Sequence, residues 1–566
     1  MGSMTARRVV TSAAAIALLA SVLLVRPGVD ASAQAPSEEA PSEEAGDLAA
    51  VACAMDTDIL VRTERGWNAD RGAQLSLFPE EPDFVGSGLP HVGPWDYIQR
   101  VPMFWYGPGH IREQGRVGGP TVTLADIAPT QAAITGFPFE APDGRVMDDA
   151  LVADVGTDGY RPPKLLVVTV WDAAGINVLD EHAGLWPYLE SLIPRGTWYE
   201  KSFVGSSPTS TAQAHATIGT GAWPGRHGLV GHRLRIGDKV TTPWEIGPEF
   251  WVLPTFADLY DRANGNEPVV GVAGTVDIHF GMMSHGAFWK GGDRDIVLTR
   301  QVVSDETIAE EGFEWNLKPG YASYYRLAGY ANDVSGFEDD KEAIDRKDGQ
   351  LDGKWRDNDI EQYLSGFDTP ARIPYQQRVV ETLIERERFG ADDVTDLLYL
   401  NFKEIDYISH VWSMNSLEMA DAVEWQDAAL ERLVTFLDET VGEGEWAMVL
   451  TADHGAMPDP AVSGGFQIST GAVGTRIQEQ FDLHGDEIRV VDLDQPSQVF
   501  LNEEELAEHD ATIEDVARFV MSLSKQQVAG EGVHPPAGTA DDVAFRLVLP
   551  SSMLPDLPCL REGEGG

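Results

Sequence analysis

The sequence SPTSTAQAHATIGTG, residues 207–221, places a cluster of hydroxyl side chains directly before an alanine-rich run. This order predicts a helix that begins close to Thr211, because Ser and Thr are common at helix starts. A hydroxyl in the first turn would face unpaired backbone N–H groups and the positive end of the helix dipole, which suits a nucleophile that meets an anionic ester. The alternative is that Thr211 only caps the helix.

Outward from this stretch, three apolar runs each lead to an acidic side chain. They are residues 164–171 before Asp172, residues 394–402 before Asp406, and residues 446–452 before Asp453. Continuous apolar runs are typical of buried parallel strands, and the chemistry of open α/β sheets collects at the carboxyl ends of such strands. Residues 417–440 add helical spacing between the last two runs. The sequence therefore predicts an α/β fold with a mostly parallel central sheet flanked by helices.

Composition divides the chain into segments with different expected roles. Residues 1–33 have the pattern of a secretory signal, with two arginines, an apolar run and small residues at the end, although an anchor that is kept is the alternative. We therefore expect a secreted or extracytoplasmic protein without a membrane span after processing. The remaining segments are a disordered acidic linker (34–52), an irregular N-terminal extension wrapped around the core (53–160), and a catalytic domain (161–566) with surface insertions at about 300–375 and 460–530.

The charge and the cysteine content narrow the possible partners. A formal net charge of −50 would repel nucleic-acid backbones, so we expect no stable complex with DNA or RNA. Cys53 and Cys559 are the two cysteines of the chain, and in an exported protein they are expected to form one disulfide. The alternative is two unpaired thiols. The sequence leaves the oligomeric state open.

Carboxylate and imidazole side chains after the predicted strands have the spacing of metal ligands. Asp406 and His410 are four residues apart and would share one face of a helix, while Asp453 and His454 are adjacent at a strand end. Mixed imidazole and carboxylate ligands favour zinc over magnesium or calcium. Together with Asp172 and Thr211, these four residues form a set of six candidate site residues.

This set, together with Pro208-Thr209-Ser210-Thr211, His227-Gly228 and Asp453-His454-Gly455, resembles the alkaline phosphatase superfamily, in particular its nucleotide pyrophosphatase/phosphodiesterase branch and the phosphate-monoesterase relatives of that branch. The resemblance covers residues 164–460 well. It implies an alkaline-phosphatase-like fold and a nucleophile at Thr211 that forms a phospho-threonine, which water then hydrolyses. It also implies two zinc ions, the first held by Asp172, Thr211, Asp453 and His454 and the second by Asp406, His410 and a third histidine.

Three possibilities remain open for the third histidine, which would complete the ligands of the second zinc ion. His534 is favoured because it stands about ten residues before a late strand candidate, residues 543–549, and the family's last metal histidine similarly precedes a late strand. His484 is the alternative, and the third possibility is that the ligand has been lost. His215, on the helix of Thr211, is expected to support packing.

Two departures from the family pattern bear on the substrate. His232 stands where the family has an asparagine that binds a phosphoryl oxygen, and a histidine can still donate a hydrogen bond there, so we expect it to be catalytic. Residues 273–280 lack the lysine and arginine that similar monoesterases carry, and Asp277 would oppose a dianion if it faced the site. The missing lysine and arginine favour a diester over a monoester.

We therefore expect a secreted two-zinc phosphoesterase that hydrolyses phosphodiester or nucleotide pyrophosphate bonds of a small-molecule substrate. The alternatives are a phosphate monoesterase of the same superfamily and a secreted binding protein whose catalysis is impaired. A sulfatase is disfavoured, because Ser206-Ser207-Pro208-Thr209-Ser210 lacks the arginine of the sulfatase motif.

Overall fold

The computed structural model describes residues 48–243, 248–300, 314–363, 368–482 and 488–561. The predicted signal segment and His484 lie outside the described residues. Of the predicted linker, the structure describes residues 48–52, and for these residues the expectation of disorder is corrected. Leu48–Ala52 is a helix whose first and last residues are buried in apolar clusters. Within the described ranges, no helix is both long and apolar enough to cross a membrane.

A nine-stranded sheet is the framework of the described chain. Its strands, in order across the sheet, are Tyr325–Leu327, Asp295–Leu298, Val270–Ala273, Asp396–Phe402, Leu165–Trp171, Trp446–Thr451, Met103–Tyr106, Thr197–Tyr199 and Gly115–Val117. The strand Met103–Tyr106 is antiparallel to both of its neighbours, and the other neighbouring pairs are parallel. The prediction of an α/β fold with a mostly parallel sheet is confirmed.

Three neighbouring strands in the middle of this sheet determine where the candidate site lies. Leu165–Trp171 lies between Asp396–Phe402 and Trp446–Thr451, and the three strands run parallel. Every residue in them is buried, which explains why the sequence shows continuous apolar runs. Because the carboxyl ends of parallel strands meet at one edge of a sheet, the residues that follow these three strands lie close together.

Helices cover the sheet. Those of eight or more residues in the described ranges are Thr57–Gly66, Ile127–Thr135, Thr211–Thr220, Phe256–Ala263, Phe337–Asp345, Arg372–Glu387, Glu404–Trp412, Leu417–Leu437, Thr470–Phe481 and Ile513–Met521. Shorter ones are Leu48–Ala52, Asp96–Gln99, Ile176–Glu181, Pro187–Leu192, Pro224–His227, Pro460–Ser463, Glu503–Glu508, Lys525–Val528 and Pro558–Arg561. The predicted helical spacing after residue 417 corresponds to Leu417–Leu437, which buries Met419, Val423 and Leu430.

A second, four-stranded sheet combines segments from both ends of the described chain. Its strands, in order, are Val491–Gln495, Gln498–Leu501, Leu75–Pro79 and Phe545–Pro550, and neighbours are antiparallel. Its apolar cluster includes Val499, Val516 and Phe545. The predicted insertion at 460–530 is therefore one part of a larger unit. Two-stranded pairs complete the described strands: Phe84–Val85 with Gln467–Ile468, Val122–Thr123 with Ser202–Phe203, Leu234–Ile236 with Lys239–Thr241, and Lys354–Trp355 with Asn358–Asp359.

Two segments contribute strands to the main sheet, although the sequence predicts an irregular wrap around the core for one and a surface insertion for the other. The N-terminal extension supplies Met103–Tyr106 and Gly115–Val117, and residues 300–375 supply Tyr325–Leu327. Buried aromatic side chains such as Phe104 anchor these strands in the core. Strands of three or four residues are too short to show a recognisable period, so the expectations of an irregular extension and of a purely surface insertion are corrected.

Cys53 and Cys559 form a disulfide, as the sequence predicts. Cys53 directly follows the helix Leu48–Ala52, and Cys559 lies in the helix Pro558–Arg561. The Cα atoms of the two cysteines are 5.6 Å apart. The bond therefore joins the two ends of the described chain.

Candidate active site

The helix Thr211–Thr220, called the nucleophile helix because the sequence predicts the nucleophile at its start, begins beside the carboxyl edge of the main sheet. Ser210 occupies the N-cap position and Thr211 is the first helical residue, so the interpretation of Thr211 as a cap is corrected. Thr211 Oγ1 lies 3.4 Å from His454 Nε2 and 3.2 Å from Lys403 Nζ. The hydroxyl is buried and contacts side chains that follow two of the central strands.

The first ligand group consists of Asp172, Asp453 and His454, all fully buried. His454 Nε2 lies 3.2 Å from Asp453 Oδ2 and 3.7 Å from Asp172 Oδ1. His454 Nδ1 lies 3.1 Å from the Gly455 carbonyl, which can only accept, so Nδ1 carries a proton. In the neutral ring, Nε2 therefore presents a lone pair to two carboxylates. Such an arrangement requires a proton or a cation between the nitrogen and the oxygens.

The second ligand group consists of His91, Asp406 and His410. Asp406 Oδ1 lies 3.3 Å from His91 Nε2 and 3.5 Å from His410 Nε2. His91 Nδ1 donates to the Thr209 carbonyl at 3.1 Å, which leaves Nε2 to face the carboxylate. Burial, and after it the neighbouring His454, lowers the pKa of His91 to about 4, so the ring is neutral at pH 7. The His410 side chain is 40% exposed, so this group opens to solvent.

The second ligand group contains His91, whereas the sequence favours His534 as its third ligand. His534 is exposed, and none of the ligand groups among the described residues includes it. His91 belongs to the N-terminal extension, and its ring stacks on that of His454 with a centroid distance of 3.5 Å. No spacing to Asp406 marks His91 in the sequence, because tertiary packing of a distant segment brings it to the site.

Lys403 is a buried cation between the two ligand groups, and no motif in the sequence marks it as a site residue. Its Nζ lies 2.8 Å from Asp172 Oδ1 and 2.8 Å from Asp406 Oδ2. Burial alone would lower the pKa of Lys403, but Asp172, Asp406 and Asp453 outweigh it and raise the pKa, so the side chain is an ammonium. Three buried carboxylates around one ammonium leave a surplus of negative charge, which bound cations would balance.

Asn401 and His215 connect the nucleophile helix to the strand Asp396–Phe402. Asn401 Nδ2 donates to Asp172 Oδ2 at 2.8 Å and lies 2.9 Å from His215 Nε2. His215 Nδ1 lies 2.8 Å from the Thr211 carbonyl, so it donates there while Nε2 accepts from Asn401. His215 is thus placed to support the start of the helix, in agreement with the packing role expected from the sequence.

His232 lies close to both ligand groups, as its electrostatic neighbours show. Burial, followed by the charge of Lys403, lowers the pKa of His232 to about 3. His91, Asp406 and His454 also influence this pKa. The ring is therefore neutral at pH 7 and can donate one hydrogen bond.

The segment that lacks the monoesterase lysine and arginine, residues 273–280, packs beside the first ligand group. Asp277 Oδ2 accepts from Lys318 Nζ at 2.8 Å, so its charge is compensated by a lysine outside this segment. His279 Nε2 lies 3.6 Å from Asp172 Oδ2. The segment therefore adds an imidazole, but no cation of its own, to the surroundings of Asp172.

The model of the family described as type I phosphodiesterase / nucleotide pyrophosphatase matches residues 166–534. The chain belongs to this family. The matched range contains every residue of the two ligand groups except His91, which precedes it, and it ends at His534. Phosphoester hydrolysis is the chemistry of this type I phosphodiesterase family.

Curated relatives of this family member are distant. A protein named calcium-transporting ATPase, from Myroides odoratus, is 24% identical over 348 residues, which cover 54% of this chain and 62% of the relative. Alkaline phosphatase PafA from Elizabethkingia meningoseptica is 27% identical over 167 residues, which cover 28% of this chain and 30% of the relative. The chain thus spans less than two thirds of either relative. The solved structure of wild-type alkaline phosphatase PafA matches 68% of this chain and 83% of its own, at 18% identity and a TM-score of 0.43.

Proposed function

We propose that this chain is a metal-dependent phosphoesterase with Thr211 as its nucleophile. The observation that carries the proposal is the position of Thr211 Oγ1. It lies at the start of a helix, next to His454 of the first ligand group and to Lys403, which contacts both groups. A phosphoryl group beside this oxygen would be within reach of both ligand groups.

Two zinc ions fit the ligand groups. Each group combines imidazole and carboxylate ligands, which suit zinc better than magnesium or calcium. Each also contains a buried carboxylate oxygen that no described donor satisfies, Asp453 Oδ2 in the first and Asp406 Oδ1 in the second. Asp172, Thr211, Asp453 and His454 would hold one ion, and His91, Asp406 and His410 the other. When bound, the ions would polarise the phosphoryl group and stabilise charge on the reacting oxygens.

The side chains suggest cleavage in two steps. Thr211 Oγ1 attacks phosphorus, the P–O bond to the leaving group breaks, and a phospho-threonine forms. The free N–H groups in the first turn of the nucleophile helix and the neutral His232 ring would donate hydrogen bonds to phosphoryl oxygens. Water then hydrolyses the phospho-threonine and restores the hydroxyl.

A phosphodiester or a nucleotide pyrophosphate is the substrate class that we propose. The family description names both activities, and residues 273–280 contain no lysine or arginine to clamp a monoester dianion. A phosphate monoester is the second candidate, because three curated relatives, PafA among them, are named alkaline phosphatases.

A comparison of bis(4-nitrophenyl) phosphate with 4-nitrophenyl phosphate tests this assignment on the zinc-loaded chain. We expect a higher kcat/KM for the diester. A clear preference for the monoester contradicts the diesterase assignment and supports the second candidate. Turnover of neither ester by protein that contains two zinc ions per chain favours an impaired binding protein.

Export from the cytoplasm is part of the proposal. It is supported by the signal pattern in residues 1–33 and by the disulfide between Cys53 and Cys559, since such bonds persist in oxidising compartments. N-terminal sequencing of the protein from its natural host should find cleavage near Ala33. A retained apolar segment would indicate an anchor instead.

A further inference from the structure

The two proposed reaction steps assign no chemical role to Lys403. It lies between the strand Asp396–Phe402 and the helix Glu404–Trp412, and its side chain is 7% exposed. A lysine ammonium has three N–H donors and no acceptor. Oxygen atoms of Asp172, Asp406 and Thr211 lie within 3.2 Å of Nζ, so each donor has one partner.

The two carboxylate partners of Lys403 belong to different ligand groups. Asp172 is part of the first group and Asp406 part of the second, and each lies 2.8 Å from Nζ. These contacts fix a compact positive charge at the boundary between the groups. A flexible side chain held at two points cannot easily turn its third donor away from Thr211.

The third donor determines how Thr211 presents its oxygen. Because Nζ can only donate, Oγ1 accepts from Lys403, and the proton of Thr211 must point elsewhere. We propose that Lys403 is a catalytic residue whose ammonium stabilises Oγ1 whenever this oxygen carries negative charge. The proposal rests on the proposed function, because it assumes that Thr211 is the nucleophile.

Oγ1 is anionic at two points of the two-step reaction. In the first step, Thr211 gives up its hydroxyl proton to water, an electron pair of Oγ1 forms the bond to phosphorus, and the leaving group departs with the electron pair of its own P–O bond. In the second step, the oxygen of water loses a proton and forms a bond to phosphorus, the Oγ1–P bond breaks, and its electron pair returns to Oγ1, which then takes up a proton. Lys403 is beside Oγ1 before the first step and after the second. Its loss should therefore slow both the formation and the hydrolysis of the phospho-threonine.

A purely structural role is the competing explanation. In that case, Lys403 would only neutralise Asp172 and Asp406, and its removal would act through metal binding or stability. Zinc content and stability separate the two explanations, because a structural role predicts that zinc or unfolding free energy is lost together with kcat, whereas a role at Oγ1 lowers kcat at full zinc content and unchanged stability. Restoration of activity by an added amine then shows that the missing group is a cation.

The test compares Lys403→Ala with Lys347→Ala in the full chain loaded with zinc. Lys347 is a matched control, because its Nζ also contacts two acids, Asp421 and Glu424, away from the ligand groups. We expect Lys403→Ala to lower kcat on bis(4-nitrophenyl) phosphate at least about tenfold, as for a lost hydrogen bond to a charged group, with unchanged zinc content. Methylamine should restore at least part of this kcat, and it should not change turnover by Lys347→Ala.

The proposal is overturned if Lys403→Ala keeps the wild-type kcat, or if methylamine does not reverse the loss of kcat in this variant. If Lys403→Ala does not fold, Lys403→Met is measured by single-turnover labelling of Thr211. Labelling at the wild-type rate then overturns the proposal, and labelling at least about tenfold slower at full zinc content supports it. Wild-type protein that forms no phospho-threonine contradicts the proposed function, and the role of Lys403 falls with it. An active wild type that is insensitive to Lys403 contradicts this inference alone.

Discussion

Thr211 differs from the neighbouring hydroxyls in the partners of its oxygen. Thr209 and Thr217 both donate to backbone carbonyl groups, whereas Thr211 Oγ1 contacts the side chains of the candidate site. Thr211→Ala should therefore lower kcat at least about a hundredfold and leave most of the bound zinc, because the other ligands persist. Steady-state kinetics and metal analysis of the purified variant measure both effects.

Ser210→Ala is the matched control for this substitution. The Ser210 hydroxyl is buried next to Thr211 in the chain, and no described residue forms a hydrogen bond with it. We expect the control to keep turnover close to that of the wild type. If Ser210→Ala abolishes turnover while Thr211→Ala retains it, the nucleophile has to be reassigned.

The assignment of His91 as a zinc ligand and the assignment of His534 predict opposite effects of substitution on metal content. His91 Nε2 faces Asp406 Oδ1 at 3.3 Å, whereas His534 is exposed and outside the described ligand groups. His91→Ala should weaken binding of one of the two zinc ions by at least about tenfold, and His534→Ala should leave both bound. Zinc titration of the metal-free variants distinguishes them. Loss of a zinc ion in His534→Ala alone would restore the assignment made from the sequence.

Acid stability should depend on His227, a buried histidine outside the ligand groups. The Leu229 N–H donates to His227 Nδ1, so Nε2 carries the proton and donates to the Thr217 hydroxyl at 3.1 Å. Burial is the main reason why the pKa of His227 falls from 6.5 to about 3. Between these pH values the unfolded chain binds a proton that the folded chain excludes, so stability is lost as the pH falls through this window.

His227→Gln removes this titration while it keeps an amide that can donate and accept. The pH dependence of the unfolding free energy between pH 6 and pH 4 should become shallower by up to about 1.4 kcal/mol per pH unit. Urea unfolding at several pH values measures the slope. Equal slopes for the wild type and the variant would show that His227 is protonated in the folded chain.

Spacing within one segment was sufficient to select most candidate residues of the site. Asp406 and His410 share a helix, and Asp453 and His454 share a strand end, so local sequence shows both pairs. His91 and Lys403 could not be found in this way. His91 reaches the site because a distant segment packs there. Lys403 is recognised only by its contacts with Asp172 and Thr211, which the fold brings together.

At the scale of elements, the length of a strand determines whether it can be predicted from the sequence. Leu165–Trp171 and Asp396–Phe402 each have seven buried residues and were predicted from their apolar runs. Met103–Tyr106 has four residues and Tyr325–Leu327 has three, too few for a pattern to be distinguished from that of a loop. Their membership in the main sheet depends on pairing with strands far away in the chain.

The nucleophile helix packs against residues 277–282 through Gly219, which makes its position sensitive to one added methyl group. A Cβ at Gly219 would lie 2.5 Å from the Gly281 carbonyl oxygen. Gly219→Ala should therefore shift the helix, lower the unfolding free energy by about 1–3 kcal/mol, and reduce kcat because Thr211 begins this helix. Urea unfolding and steady-state kinetics measure these effects.

Gly329→Ala is the control for the glycine substitution. A Cβ at Gly329 meets no atom within 4 Å, so the change adds a methyl group without a close contact. We expect stability and kcat close to wild-type values. If Gly219→Ala behaves in the same way, the helix adjusts without cost and its packing does not fix the nucleophile.

At the scale of the whole molecule, the disulfide closes a loop across a sequence separation of 506 residues. Loop-closure entropy limits its stabilisation to roughly 5 kcal/mol, and measured effects are often smaller. A double variant with Cys53→Ser and Cys559→Ser should unfold at lower urea concentration and keep its kcat, because both cysteines pack against an apolar cluster that contains none of the candidate site residues. Reduced wild-type protein should behave like the double variant. Labelling of both thiols in unreduced, denatured protein would contradict the bond.

The N-terminal extension provides both His91 and the antiparallel strand Met103–Tyr106, although the family match begins at residue 166. A gene fragment cut at that boundary would encode a sheet with a gap beside Trp446–Thr451 and a second ligand group with one histidine fewer. The two parts therefore depend on each other in this chain, and a replacement of either part would have to preserve the strand pairing and the contact of His91 with Asp406. If His91 holds a metal ion as proposed, substitutions at residue 91 would affect metal binding as well as folding, so a shortened chain should be compared with one that includes the extension.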